Sequence, residues 1–86
     1  MNAEYIEIDL TLAQKKAVLK YAGVSVFGGV INQDLKDKRK KWVRFDKFEI
    51  ADVIGELTYH LNRSKSDSTI DFLDELICHL EYYEKS

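Results

Sequence analysis

Polar and apolar residues alternate where the chain begins. In YIEIDL, residues 5–10, Ile6, Ile8 and Leu10 share one face while Tyr5, Glu7 and Asp9 share the other, the period of a half-buried strand. The period changes at TLAQ. Thr11 is placed to cap a helix and Gln14 to reach back to the cap, so a capping box opens a helix over 12–22, with Gly23 as its stop. Leu12, Val18, Leu19 and Ala22 lie on one broad side of that helix, and Ala13, Ala17 and Tyr21 on another, so it is expected to touch neighbours on two sides.

The pattern is weakest over 24–40. Val24 to Phe27 reads either as a short strand or as an irregular apolar turn, broken by Gly28 and Gly29; residues 31–39 have the composition of a short charged helix. KWVRF then alternates again, Val43 and Phe45 against Trp42 and Arg44, which predicts a second strand over 41–45. Asp46 and Glu49 form another capping box, and Phe45 is spaced to staple onto Ile50. Ile50, Val53, Ile54, Leu57 and Leu61 make a single stripe along the next helix, with Gly55 inside it as a site of close helix approach. NRSKSDS (62–68) is a polar turn. Ser68 and Asp71 are expected to cap a last helix reaching residue 83, with Ile70, Leu73, Leu76, Ile77, Leu80 and Tyr83 inward.

These elements predict an α+β fold: three main helices, a small two-stranded element, and a C-terminal antiparallel helical hairpin. Residues 1–86 read as a single small globular domain. A lone strand pair is marginal in water, so helix packing must hold it.

Composition sharpens the picture at two points. At 86 residues, 45% hydrophobic and 12% aromatic, the chain is globular but its core is thin. Such a core is often completed by a second copy, so a homodimer is expected. Charge is uneven. Residues 36–44 set six cations against Asp37, a net of +5, so the rest of the chain carries −7 of the overall −2. A single cysteine, Cys78, permits no internal disulfide and fits a reducing cytoplasm. No signal peptide and no run of the ~20 apolar residues that a membrane helix needs are visible.

The candidate site is the basic stretch KDKRKKWVRF (36–45). Lys38, Arg39, Lys40 and Lys41 suit phosphate contact with Trp42 stacking on a base, or they are solvated charges that keep an edge strand from pairing. Trp42 and Arg44 share the outward face of the second strand; they are residue types that anchor protein interfaces, or else a third helix or the 24–35 segment covers Trp42 as ordinary core. A +5 island also matches the acidic last helix of a second copy, at Asp71, Asp74, Glu75 and Glu81. Glu56 with His60 and Glu75 with His79 stand at i, i+4, but an antiparallel hairpin separates the histidines by ~12 Å, too far to share an ion. No base is placed beside Cys78, and no nucleophile elbow or phosphate loop is present, so neither catalysis nor a cofactor or metal is expected.

IGELTYHLNRSKSDSTIDFLDEL (54–76), together with IDLTLAQKKAVLKYAG upstream, resembles a family of short uncharacterised bacterial domains. Their pattern is a strand, a capped helix with Ile-Gly, an asparagine near the helix end, a Lys/Ser turn, and a helix containing Leu-Asp. The resemblance covers about two thirds of the chain, stops across 24–41, and departs at TYHL (58–61), where such domains carry an acidic or alanine-rich stretch. It implies structural roles, Gly55 in packing, Asn62 at the helix end and Leu73-Asp74 in the last helix, and no activity. The expectation is therefore a non-catalytic module that binds a protein partner and itself. A regulatory or immunity-type role follows by analogy with other small proteins of that kind. Nucleic-acid binding through 36–44 and Trp42 is the alternative.

Overall fold

A computed structural model describes residues 5–85 of the chain. Among them it places β1 (Ile6–Asp9), α1 (Leu12–Tyr21), α2 (Gly29–Lys36), β2 (Trp42–Phe45), α3 (Lys47–Arg63) and α4 (Asp67–Glu84). The strands pair antiparallel, Ile6 with Phe45 and Ile8 with Val43, so one face of the sheet collects the apolar side chains. Ile8, Val43 and Phe45 are fully buried there. Leu10 N–H extends the ladder to the Lys41 carbonyl at 2.9 Å.

Each strand hands over to a helix through a reciprocal cap. Gln14 N–H donates to Thr11 Oγ1 at 3.1 Å while Thr11 N–H donates to Gln14 Oε1 at 2.9 Å. Asp46 and Glu49 repeat the exchange at 2.7 and 2.9 Å. Both boxes satisfy N–H groups that a helix start leaves without partners. Phe45 and Ile50, the staple pair around the second box, are both buried.

α3 and α4 pack closely as the antiparallel hairpin, joined by a three-residue turn, and α4 also meets β1. Leu57, Leu73, Leu76 and Leu80 form the shared seam and are fully buried. α4 begins earlier than its sequence suggested. Ser66, not Ser68, caps it by accepting from Thr69 N–H, and Asp67 then sits in the first turn, where a carboxylate complements the helix dipole. The segment 24–40 divides into an apolar turn and α2, which packs against β2 and α1. Among the described residues no helix is long and apolar enough to cross a membrane.

The glycines do different work from that expected. Gly55 faces solvent, and a side-chain carbon added there would meet nothing within 4 Å, so it mediates no close helix approach. Gly23 does end α1, but for a steric reason: an added carbon would lie 2.6 Å from the Leu19 carbonyl oxygen. Gly28 needs its freedom, since it leads into α2 with φ of 78°. Leu12 also departs from expectation. It is exposed, and Lys15 occupies the buried position ahead of Val18 and Ala22.

Two stability changes of opposite sign follow. Leu57→Ala should destabilise the fold by about 2–5 kcal/mol, because it empties the centre of the hairpin seam. Gly55→Ala should stabilise it by up to about 1 kcal/mol, since helix propensity improves with no new contact to strain. Urea unfolding measures both; a loss of stability in Gly55→Ala would show that this glycine is structurally required.

Candidate functional site

The basic stretch is an ordered loop, and its order comes from two charges that the core encloses. The first is Asp34 on α2, whose side chain is only 3% exposed. Its Oδ2 accepts from Arg44 Nε at 2.9 Å and from the Arg44 backbone N–H at 3.1 Å, while Oδ1 accepts from Arg44 Nη2 at 3.0 Å and Lys40 Nζ at 2.9 Å. The carboxylate therefore acts as the next strand would: it satisfies the open-edge N–H of β2 and, in the same place, a bidentate guanidinium.

Lys15 on α1 is the second, 2% exposed. Its ammonium donates to the Asp37 carbonyl at 2.7 Å and also to the Lys40 carbonyl. Asp37 turns the loop by accepting from Arg39 N–H at 2.9 Å. Lys40 is thus held twice, its carbonyl by Lys15 and its side chain by Asp34.

The sequence-predicted residues separate accordingly. Lys40 and Arg44 are committed within the chain. Lys38, Arg39 and Lys41 are exposed and make no side-chain hydrogen bond or ion pair with a described residue. Trp42 is 51% exposed on the outer sheet face, opposite Asp9 in the register and two residues from Arg44. Trp42 and Arg44 share a face as expected, yet only Trp42 is left open to a partner.

Two other groups of side chains converge. On one side, the 24–29 turn is anchored by Val26, which is buried and whose carbonyl accepts from Asn32 Nδ2 at 3.2 Å. That anchoring turns the flanking side chains outward, leaving Val24 92% and Phe27 89% exposed. They line a shallow depression of about 510 Å³ with Lys20, Tyr21 and Gly23. Tyr21 continues the surface: its ring lies 4.9 Å from His60, which lies 5.4 Å from Tyr59, and Arg63 stacks over Tyr59 at 4.6 Å.

At the far end of α1, His79 Nε2 stands 2.8 Å from the Asp9 carbonyl and Tyr83 donates its hydroxyl to Asp9 Oδ1 at 3.1 Å. A carbonyl only accepts, so Nε2 carries the proton. The bond from its own hydroxyl to the Asp9 carboxylate, above all, pushes the Tyr83 phenol up from its ordinary value. The two Glu–His pairs hence serve different contacts, His60 in the aromatic row and His79 on the open edge of β1. Of the residues singled out by the family resemblance, Leu73 is buried while Gly55, Asn62 and Asp74 face solvent.

Asp34 and Lys15 are the residues that sequence reading missed, and a signal for each exists. Ile31, Asp34 and Leu35 share one helical face, as do Lys15, Val18, Leu19 and Ala22. A lone charge within an apolar stripe must find a partner when buried. Comparison with family models, curated proteins and solved structures finds no match to the chain.

The Arg44 guanidinium, above all, holds the Asp34 carboxyl well below the usual carboxylate range; burial opposes this, and Lys40 and the Arg44 N–H reinforce it. A depressed folded-state value means that this contribution to stability is complete above about pH 4 and is lost as pH falls through that lower value. Asp34→Asn should lower stability at neutral pH by about 2–4 kcal/mol, since it leaves two cations without their carboxylate. The wild type should then lose melting temperature below about pH 4 more steeply than the variant. Parallel pH profiles would show that the carboxylate charge is not what holds the loop.

Proposed function

We propose that the chain is a non-catalytic protein-interaction module that associates with a second copy of itself through the 24–29 turn and the aromatic row beside it. The observation that carries this reading is the near-complete exposure of Val24 and Phe27 on a turn that is held in place by Val26 and Asn32. Burying such side chains is favourable by about 1.5–3 kcal/mol each, and an ordered turn loses little entropy in doing so. Tyr21, Tyr59 and Arg63 supply the residue types that anchor interfaces.

Charge favours a second copy as the occupant. Lys20 lines the depression and Arg63 stacks on Tyr59, while α4 exposes Asp67, Asp71, Asp74 and Glu75. A two-fold arrangement makes the cation-to-acid contact twice. A regulatory or immunity-type role would be exercised through the same surface.

The nucleic-acid reading retains Lys38, Arg39 and Lys41 with Trp42 beside them. It loses Lys40 and Arg44, whose charges answer Asp34. Phosphate contacts on duplex DNA would reveal themselves by a steep salt dependence, roughly 0.9 log unit of affinity per contact for each log unit of salt.

Sedimentation equilibrium tests the first reading. The wild type should dissociate on dilution, and Val24→Ser combined with Phe27→Ser should weaken the dimer by at least about 3 kcal/mol, more than a hundredfold, with the far-ultraviolet spectrum unchanged. A wild-type monomer at every concentration would overturn self-association. A dimer indifferent to the double substitution would move the contact to the Trp42 face, which Trp42→Ala probes.

A further inference from the structure

The loop that Lys15 holds does not close flat against α1. Between them lies a cleft of about 530 Å³, lined by Asp9, Leu10 and His79 on one side, Thr11, Gln14 and Lys15 below, and Lys38, Lys40 and Lys41 above. It is as large as the depression at Phe27 but opposite in character, for its chemistry is cationic. Lys40 is paired with Asp34, a carboxylate it shares with Arg44. Lys15 has only neutral carbonyl partners, and the side chains of Lys38 and Lys41 make no hydrogen bond or ion pair with a described residue, so three of the lysines that line the cleft have no counter-ion of their own. Against them stands one carboxylate, Asp9, which receives the Tyr83 hydroxyl and faces His79 Nε2 at 3.5 Å.

We infer that this cleft is a binding site for a compact phosphate-bearing small molecule. A buried ammonium is costly unless an anion or several dipoles answer it, and two carbonyls occupy two of its three donors. A phosphate presented to the cleft completes that set while engaging Lys38 and Lys41 from the rim, and each such pair is a charge-assisted hydrogen bond. The half-open cleft accommodates a phosphate group with a small substituent, on the scale of an ordinary ligand pocket. The cleft lies at the opposite end of α1 from the self-association surface, so both can be occupied together. Regulation of the module by a small phosphorylated ligand is the use to which such an arrangement lends itself.

The rim lysines allow a clean test, because neither supports the fold. Inorganic pyrophosphate is titrated at low salt into the full chain, following Trp42 emission and the melting temperature. Trp42 reports on the cleft because it stands opposite Asp9 in the sheet and follows Lys41 in the chain. Saturable binding that raises the melting temperature is expected. Lys38→Gln combined with Lys41→Gln should weaken it by about tenfold per lysine while leaving the ligand-free melting temperature unchanged. Lys65→Gln, in the α3–α4 turn and about 20 Å along α4 from His79, should bind as the wild type does. No response to pyrophosphate at millimolar concentration would overturn the inference, and so would binding that the double substitution leaves intact. Capture of a single-stranded oligonucleotide without any pyrophosphate binding would also overturn it, and would assign the basic loop to nucleic acid.

Discussion

Everything on the β2 side of the molecule depends on one buried carboxylate. A two-stranded sheet has two open edges and little to recommend it in water. Here the edge of β2 is closed by Asp34, which takes the place of a third strand at a single residue and brings α2 against the sheet while doing so. Taking a carboxylate out of water is unfavourable, and only the full complement of four donors offsets it. The position of α2, the direction of Arg44 and the course of the loop before β2 are consequences of meeting that demand. The other edge is covered more lightly, by His79 and Tyr83 reaching across from α4 to Asp9.

Behind the sheet, a different kind of interaction prevails. The hairpin of α3 and α4 is held by leucine and isoleucine seams with no buried polar group among them, and it gives the strands the apolar surface they need. Lys15 and Asp34 are the buried charged residues among those described, and both lie on the side where α1, α2 and the loop meet. The molecule thus divides its labour, with nonspecific burial in the hairpin and directional bonding around the loop. The first supplies most of the stability, and the second sets which conformation the loop takes.

That division also explains what the sequence disclosed. Both capping boxes, the two strands and the stripe of α3 and α4 were legible, because each rests on spacing within a few residues. The alternation in Ile6–Ile8 and Val43–Phe45 even indicated which face would be covered. The loop was not legible, because its determinants are distant in the chain: Lys15 bonds carbonyls 22 and 25 residues away, and Asp34 reaches Arg44. Read locally, KDKRKK is a charged run, and nothing within it shows that Lys40 is fixed and Lys38 free. Gly55 misled for a related reason. A glycine inside an apolar stripe resembles a packing device, yet Ile54 and Leu57 carry the seam and Gly55 points away from it. Trp42 could be placed on the outer face but not judged as covered or bare, since that depended on where α2 would lie.

The way Lys15 holds the loop has a consequence for how the loop can vary. Its bonds go to main-chain oxygens, as does that of Leu10 N–H to Lys41, and every amino acid supplies such an oxygen. The path of the backbone through 38–41 is accordingly indifferent to most of the side chains strung along it. Only Lys40, through Asp34, is tied to its identity. Lys38, Arg39 and Lys41 are free to drift in charge, size or polarity while the scaffold beneath them stays as it is. Such an arrangement separates the shape of a surface from its chemistry, so that descendants of this chain could exchange one ligand or partner for another without first having to refold.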